Sequence, residues 1–187
     1  MRKIIAHYIK DTYLLEDLAE ENAGDSICVD ESLFVHEHNA QIWVVGLINS
    51  RTRKIRLEIV DNRTSQIIKP IINRLVPKGN TTTTDAANYY NFLNQNESGY
   101  IHHIHNHGHG NFGARLDSTS HIEQLWHNIK SIIKSIYYII PVKNFILFLR
   151  EAKWRRNQTK FENKSILQSF EETALYVYQS SGINVYN

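Results

Sequence analysis

The 187-residue sequence predicts an α/β fold, in which a mixed sheet is flanked by helices. Three observations lead to this prediction. Three β-rich segments follow one another with short turns between them, which favours an antiparallel meander. The apolar period then changes from two to 3.6 near residue 64, and helical and strand-like segments alternate from there as helix-crossover strands. A hydrophobic fraction of 42% is enough for a buried core, and a single cysteine, Cys28, excludes a disulfide framework or a Cys-rich zinc module.

The first third of the chain supplies one helix and the meander. An amphipathic helix is predicted over residues 3–21, where apolar residues recur at helical spacing, and Gly24 ends it. Strands are predicted over 26–35, 41–50 and 53–60. The second is almost continuously apolar, as in a strand buried on both faces, whereas the third alternates apolar and polar residues.

The rest of the chain alternates helices with short strands. The predicted elements are a helix (64–76), a short strand (80–85), a short helix (87–93), a strand from residue 99, a polar loop (102–117), a long helix from Ser118 to Pro141, and two further helices (143–156 and 163–179). Three antiparallel strands followed by helix, strand, short helix, strand and helices are the order of a ribonuclease H-like fold.

Charge is unevenly distributed along the chain. The overall net charge is +2, but residues 1–30 are predominantly acidic, and residues 130–160 carry eight Lys and Arg side chains against the single acid Glu151. A basic C-terminal half suits a polyanion such as nucleic acid, and it equally suits a solvated helical face. No apolar run approaches the ~20 residues of a membrane span, and the N-terminus lacks the pattern of a secretory signal. We therefore expect an intracellular protein without a membrane partner.

Three acidic residues stand at informative positions. Asp30 lies in the middle of an apolar strand, where a carboxylate needs a hydrogen-bond, ionic or metal partner. Asp85 follows the short strand at the edge where ligand-binding groups gather in α/β sheets, although it could instead cap the next helix. Glu123 opens the long helix, where the helix dipole alone also favours an acid. Glu31 is predicted to point to the sheet face opposite Asp30.

Two strands and a helix can bring these three carboxylates together, where they would repel one another. A divalent cation removes that repulsion, and Mg²⁺ or Mn²⁺ prefers carboxylate oxygen ligands. Two such ions can activate an attacking oxygen and stabilise the leaving oxygen of a phosphodiester. The sequence therefore predicts a two-metal site built from Asp30, Asp85 and Glu123.

An ordered set of short motifs resembles a known family. CVDESLF, VDNRTS, TDAANYY, GYIHHIHNH and IEQLWHNIK resemble the DDE transposases of the ISXO-two-like (ISXO2-like) insertion sequences, which are related to the eukaryotic Merlin DNA transposons. The resemblance covers about residues 1–157. It implies a ribonuclease H-like catalytic domain at 25–157, preceded by a linker helix (1–24) and followed by a helical extension (158–187). It also implies that Asp30, Asp85 and Glu123 are the catalytic acids, acting with Mg²⁺ or Mn²⁺.

The resemblance further implies DNA strand cleavage and strand transfer, with transposon ends and target DNA as partners and a homo-oligomer assembled on DNA. Such an enzyme would work in the nucleus of a eukaryotic host or the cytoplasm of a bacterial one. Two departures stand out: Ser120 replaces the Asn or Gln common three residues before the last acid, and the usual N-terminal DNA-binding region is not visible. The alternative is therefore a truncated or host-adopted DNA-binding protein with weak or no catalysis.

Several basic and aromatic residues are further candidates. Candidate DNA-binding residues are Lys130, Arg150, Lys153, Arg155 and Arg156. Five histidines between 102 and 109 can be metal ligands, DNA or active-site contacts, or structural residues; His107, and also His127, are predicted neighbours of the active site. Arg63 can reach a phosphate or pair with Asp61. The three tryptophans are expected to pack in the core more than to stack on bases.

Overall fold

The computed structural model describes residues 25–35, 40–105, 119–134, 140–161 and 165–180. The predicted helix over 3–21 lies outside these residues. The described elements are strands β1 (Ser26–Val35), β2 (Gln41–Asn49) and β3 (Ile55–Val60), helix α1 (Ser65–Leu75), strand β4 (Thr81–Thr84), a 3-10 helix (Asn88–Asn94), strand β5 (Ile101–Ile104), and helices α2 (Ser120–Ile132), α3 (Val142–Phe161) and α4 (Ile166–Ser180).

The strands form one five-stranded sheet in the order β3-β2-β1-β4-β5. β1, β2 and β3 pair antiparallel, as the meander prediction requires. β4 pairs parallel with β1, and β5 pairs parallel with β4. The connection from β3 to β4 contains α1, and such a helix crossover is what a parallel partner needs. The predicted mixed sheet is confirmed, and β1 is its central strand.

Each face of the sheet carries its own apolar core. Ile27 and Val29 of β1 pack on the α1 side with the 3-10 helix, whereas Cys28 and Phe34 pack on the opposite side against α2 and α3. Successive strand residues point to opposite faces, so the even-numbered residues of β1 face α2. This parity places Asp30 on the α2 face and Glu31 on the α1 face.

An ion pair between a buried carboxylate and an exposed guanidinium closes the end of the sheet where β1 begins. The carboxylate of Asp25 accepts hydrogen bonds from Arg51 at 2.7 and 2.9 Å and from the Asn49 amide at 2.7 Å. Only 7% of the Asp25 side chain is exposed, whereas 53% of the Arg51 side chain is. These hydrogen bonds hold the pKa of Asp25 below its usual range, mainly through Arg51. The pair ties the β2–β3 turn to the start of β1.

Two elements differ from their predictions. The predicted loop over 102–117 is wrong at its start, because β5 continues to Ile104 and takes in His102 and His103. His102 fits within the strand because its ring nitrogens form hydrogen bonds with the side chains of Thr84 and Asn94. The short helix after β4 is a 3-10 helix of seven residues. In the part of the chain that is described, we find no helix of the length and apolarity that a bilayer crossing needs.

Candidate active site

Asp30 lies half-buried near the centre of the sheet and is held by a tryptophan. It stands on β1 opposite Gly46 of β2, on the face covered by α2. Trp126 of α2 donates a hydrogen bond from its indole Nε1 to Oδ2 of Asp30 at 2.9 Å. The partner that a mid-strand carboxylate requires is therefore supplied by α2, three residues after Glu123. The tryptophan packs in the core, as predicted, and also contacts a predicted catalytic acid.

Gly46 makes this contact sterically possible. A Cβ atom on Gly46 would lie 2.6 Å from Cη2 of Trp126 and 3.1 Å from Cδ1 of Ile122. The indole also contacts Phe34 edge to face, with ring centroids 6.1 Å apart. The missing side chain in β2 thus leaves the space in which the indole reaches across the sheet to Asp30. A glycine inside an apolar strand was a sequence signal for such a close approach.

Asp85 stands just beyond β4, beside the strand that carries Asp30. The parallel pairing of β1 with β4 runs from Ser26–Thr81 to Cys28–Thr83, a constant offset of 55 residues. The same offset carried two residues further aligns Asp85 with Asp30 on the same face of the sheet. Oδ1 of Asp85 accepts a hydrogen bond from the backbone N–H of Ala87 at 3.0 Å. This is a turn contact within the segment before the 3-10 helix; the N-cap of that helix is Ala87 and has no side-chain cap, so the alternative that Asp85 caps the helix is wrong.

Glu123 lies in the first turn of α2, exposed to solvent. The hydroxyl of Thr119 donates a hydrogen bond to its Oε1 at 2.7 Å. Thr119 is 3% exposed and sits immediately before α2, so it fixes the side chain at the start of the helix. Glu123 and Trp126 are three residues apart on one helix and therefore share the side that faces β1.

The environment of Asp30 raises the pKa of its carboxyl group. Burial raises the pKa of Asp30, and the negative charges of Asp85 and Glu123 raise it further. Hydrogen bonds from the backbone of Glu31 and from Trp126 act in the opposite direction. These charge effects are smaller than those of burial and of the two hydrogen bonds. The backbone gives the placement of the three acids: Asp85 is aligned with Asp30 across β1 and β4, and Glu123 lies on α2, the helix whose Trp126 contacts Asp30.

The donor chemistry of this neighbourhood fits a hard divalent cation, since it consists of carboxylate oxygens in a partly desolvated place. Within the described ranges, however, no three Asp, Glu, His or Cys side chains are grouped closely enough to hold an ion as they stand. Each of the three carboxylates is turned towards a protein donor: Trp126, Ala87 or Thr119. Ion binding by all three therefore requires the side chains to turn towards a common point.

Glu31 is a second half-buried acid that sequence reasoning set aside. It points away from Asp30, as predicted, and accepts hydrogen bonds from the hydroxyls of Tyr89, at 2.7 Å, and Tyr90. The pKa of Glu31 is raised to about 7. Burial is the main cause, the two tyrosine hydrogen bonds act in the opposite direction, and the charges of Asp30 and Asp85 raise the pKa further. The adjacent Tyr89-Tyr90 pair in TDAANYY was the sequence signal for this partner, but pairing with Glu31 required knowledge of the fold.

The predicted DNA-binding residues fall into two places. Lys130 is exposed on α2, with Nζ 5.5 Å from the ring centroid of Phe34, on the same side as Asp30. The other four lie on α3, which packs on β3 at the edge of the sheet. Arg155 forms an ion pair with Glu151 at 2.9 Å. Burial lowers the pKa of Arg156, and nearby Arg53 lowers it further.

The histidines are only partly described. His107 lies outside the described residues, and His127 is exposed on α2, one turn after Glu123. His102 contacts Thr84 Oγ1 at 2.8 Å and Asn94 Oδ1 at 2.7 Å, and burial lowers its pKa. The Thr84 hydroxyl also donates to the carbonyl of Asp85 at 2.7 Å. His102 is thus a structural residue that contacts the strand leading to Asp85.

Among the described contacts, Arg63 forms no ion pair with Asp61, and its contact with a phosphate stays a prediction. Its guanidinium lies over the ring of Trp43, 3.9 Å from the centroid, and 6.0 Å from the centroid of Tyr89. Trp43 packs partly against the core on the α1 side, in agreement with its expected role. The guanidinium is exposed at the end of β3 and held flat on an aromatic surface.

Comparison with known proteins places these features in a family. The family model for the ISXO2-like transposase domain matches residues 30–157, a range that contains all three acids. An uncharacterized transposase-like protein of Haemophilus influenzae is 27% identical over 123 residues, which are 65% of this chain and 97% of that protein.

Solved structures with a similar fold come from retroviral integrases. A simian T-cell lymphotropic virus intasome, in complex with the PP2A regulatory subunit B56 gamma, matches with a TM-score of 0.50 and 15% identity over 70% of this chain. The match spans 47% of that integrase chain, about half its length. The HTLV-2 integrase catalytic core domain in complex with magnesium matches 71% of this chain and 84% of its own, with a TM-score of 0.46 and 12% identity. The mixed sheet and its helices have the ribonuclease H-like fold of integrase catalytic cores, and the chain belongs to the ISXO2-like transposase domain family.

Proposed function

We propose that this chain is the catalytic domain of a DDE transposase, which cleaves DNA strands and transfers their 3′ ends to target DNA. Asp30, Asp85 and Glu123 are its catalytic acids and hold Mg²⁺ or Mn²⁺. The observation that supports the proposal is the alignment of Asp85 with Asp30 across β1 and β4, on the sheet face packed against α2, the helix that carries Glu123. Family membership supports the same reaction class.

Each of the three carboxylates is oriented by a neighbouring hydrogen-bond donor. Trp126 orients Asp30, Thr119 orients Glu123, and the Ala87 N–H holds one oxygen of Asp85. When bound, divalent cations would supply Lewis-acid activation of the attacking oxygen and stabilisation of the leaving oxygen. Cleavage by water and transfer by a 3′-hydroxyl are both in-line displacements that need no side-chain nucleophile. Cys28 suits this scheme, since it is buried against Ser50.

The basic residues suggest a path for the DNA. Lys130 lies on the same side as the acids, where it can contact the scissile phosphate. Helix α3 packs on β3, two strands from β1, so at a strand spacing of about 4.8 Å its cations lie roughly 10 Å or more from the acids across the sheet. Arg150, Lys153, Arg155 and Arg156 would then follow the backbone farther along the duplex. His127, exposed beyond Glu123, and His107 are proposed neighbours of the reacting strand.

Transposon ends and target DNA are the proposed partners, and a homo-oligomer on DNA is the proposed working form. The structural relatives include a magnesium-bound integrase core described in trimeric and dimeric forms, and an intasome. The proposed division keeps a linker helix at 1–24, the catalytic domain at 25–157 and a helical extension at 158–187. The family match over 30–157 supports the middle part. An enzyme of this kind works where the host DNA is, in a eukaryotic nucleus or a bacterial cytoplasm.

Cleavage of linear duplex DNA in Mn²⁺ tests the proposal. We expect the wild-type chain to nick DNA, and Asp30→Asn or Asp85→Asn to abolish nicking without changing the circular dichroism spectrum. Glu123→Gln should behave alike, with more residual activity if His121 or His127 can partly replace it. The matched control is Asp61→Asn, an exposed aspartate at the end of β3, which should nick as wild type does.

Two results would contradict the proposal. Wild-type nicking by either Asp variant would show that the acids are misassigned. Salt-dependent DNA binding without any metal-dependent nicking would favour the alternative, a transposase-derived DNA-binding protein with weak or no catalysis. One observation favours that alternative: among the described residues, no three Asp, Glu, His or Cys side chains are close enough together to hold a metal ion.

A further inference from the structure

The backbone pairing that aligns Asp30 with Asp85 stops before it reaches them. The last paired residues of β1 and β4 are Cys28 and Thr83, two residues short of each acid. Beyond that point the two segments are no longer joined by the ladder between these strands. Each segment is still held by its other neighbour, Asp30 by Gly46 of β2 and Thr84 by Ile104 of β5, so side chains that link β1 to the segment after β4 supply the direct connection between them.

Such a link is formed by Glu31 and two tyrosines. Glu31 directly follows Asp30, and its two carboxylate oxygens accept hydrogen bonds from different residues: Oε2 from Tyr89, at 2.7 Å, and Oε1 from Tyr90. Both tyrosines belong to the 3-10 helix that begins three residues after Asp85. We name Glu31, Tyr89 and Tyr90 the tyrosine clasp. It connects the residue next to one catalytic acid with a helix that begins three residues after the other.

Both tyrosines of the clasp are held in place by further contacts. Tyr90 is 1% exposed and belongs to the core on the α1 side. The hydroxyl of Ser65, at the start of α1, donates a hydrogen bond to the carbonyl of Tyr89 at 2.8 Å. Asp85 is bonded within the same short segment, through the N–H of Ala87. Because few residues lie between Asp85 and the tyrosines, a movement of the 3-10 helix relative to β1 would carry Asp85 with it.

We propose that Glu31 is a positioning residue that, through Tyr89 and Tyr90, fixes the separation between Asp30 and Asp85 and thereby sets the affinity of the site for a divalent cation. This inference rests on the proposed function. Glu31 does not contact the ion or the DNA, because it lies on the opposite face of the sheet from Asp30. Residues that orient the ligands of a metal site commonly change its affinity by about tenfold or more when they are removed.

Tyr89→Phe is the variant that tests the clasp with least damage. Tyr89 is half-buried, so the ring can keep its packing while the hydrogen bond to Glu31 is lost. Glu31→Gln is the second variant, because it removes the negative charge, and its amide oxygen can accept from one tyrosine while the NH2 group in the other position can only donate. Tyr100→Phe is the matched control: Tyr100 is also half-buried and its hydroxyl donates to Asn73 at 3.1 Å, away from the acids.

The measurement is Mn²⁺ binding by the full chain, followed by electron paramagnetic resonance of free Mn²⁺, together with the melting temperature. We expect Tyr89→Phe and Glu31→Gln to raise the dissociation constant about tenfold. Their DNA nicking should be regained at higher Mn²⁺ concentration, whereas Tyr100→Phe should lower the melting temperature alone. If both clasp variants bind Mn²⁺ as wild type does, the clasp is only structural and the inference is wrong, while the proposed function stands. If wild type has no Mn²⁺ site that Asp30→Asn removes, the proposed function fails and the inference fails with it.

Discussion

Gly46→Ala adds one methyl group that should displace Trp126, the residue that holds Asp30. Gly46 lies directly opposite Asp30 in the β1–β2 pairing. The added Cβ would lie 2.6 Å from Cη2 of Trp126, whereas carbon atoms pack best at about 3.5–4.0 Å. The indole must then move by roughly an ångström. Its hydrogen bond to Asp30, 2.9 Å long, and its contact with Phe34 oppose that movement.

The expected cost follows from these two contacts. Overpacking a well-packed core costs about 1–3 kcal/mol. Alanine in place of glycine in a strand otherwise gains roughly 0.5–1 kcal/mol through lower chain entropy. If the indole also leaves Asp30, the lost hydrogen bond to a charged acceptor adds about 1.5–3 kcal/mol. We therefore expect Gly46→Ala to lower the free energy of unfolding by about 0–2.5 kcal/mol if the hydrogen bond to Asp30 survives, and by about 1.5–5.5 kcal/mol if it is lost.

A double-mutant cycle isolates the proposed cause. Phenylalanine lacks the outer atoms of the indole that the new Cβ would meet, so Trp126→Phe should relieve most of the clash. Urea unfolding followed by circular dichroism should give a smaller cost for Gly46→Ala in the Trp126→Phe background, by about 1 kcal/mol or more. An equal cost in both backgrounds would refute the reasoning, because the clash would then not involve Trp126.

Three further predictions follow from the ionic contacts. Asp25→Asn should lower stability by about 1–3 kcal/mol near pH 7; since the pKa of Asp25 is lowered in the fold, this difference should shrink as the pH falls below about 4 in pH-dependent urea unfolding. Lys130→Ala should reduce Mn²⁺-dependent nicking more than DNA binding, as measured on one DNA fragment by both assays; an equal loss in both would place Lys130 away from the scissile phosphate. Lys153, Arg155 and Arg156 changed together to Ala should weaken binding and flatten its salt dependence by about one unit per lost phosphate contact. Because Arg155 is paired with Glu151, the change should be nearer two units than three, and an unchanged slope in filter binding would exclude α3 from the DNA path.

The sheet was predictable because its signals are local. Period-two alternation, short polar turns and the switch to helical period at residue 64 predict β1, β2, β3 and α1 close to their observed bounds. The strand predicted from residue 99 was ended too early, because the polar side chains of His102 and His103 look like a loop. The partners of His102, Thr84 and Asn94, become visible only when β5 pairs with β4.

The site was predictable in its charges and much less so in its neighbours. A carboxylate inside an apolar strand needs a partner wherever the strand lies, so Asp30 could be singled out from sequence. The partner, Trp126, could not be identified from sequence, because it is 96 residues away and its contact depends on Gly46 leaving room for the indole. Glu31 was rightly assigned to the opposite face, but its two tyrosines follow from the 3-10 helix packing under β1, which no local pattern specifies.

The thermal stability of the chain as a function of Mn²⁺ tests most directly whether Asp30, Asp85 and Glu123 act as one cation site. At an ion concentration about 100 times the dissociation constant, binding adds about 2.7 kcal/mol to stability. For a chain of this size, that raises the melting temperature of wild type by roughly 5–10 °C. Because burial and the neighbouring acids raise the pKa of Asp30, its charge destabilises the metal-free fold at neutral pH, so Asp30→Asn should melt no lower than wild type without metal. Asp30→Asn should then gain almost nothing from Mn²⁺, whereas Asp61→Asn should gain as much as wild type. Equal Mn²⁺ shifts in wild type and Asp30→Asn would contradict the account, because the ion would then bind elsewhere.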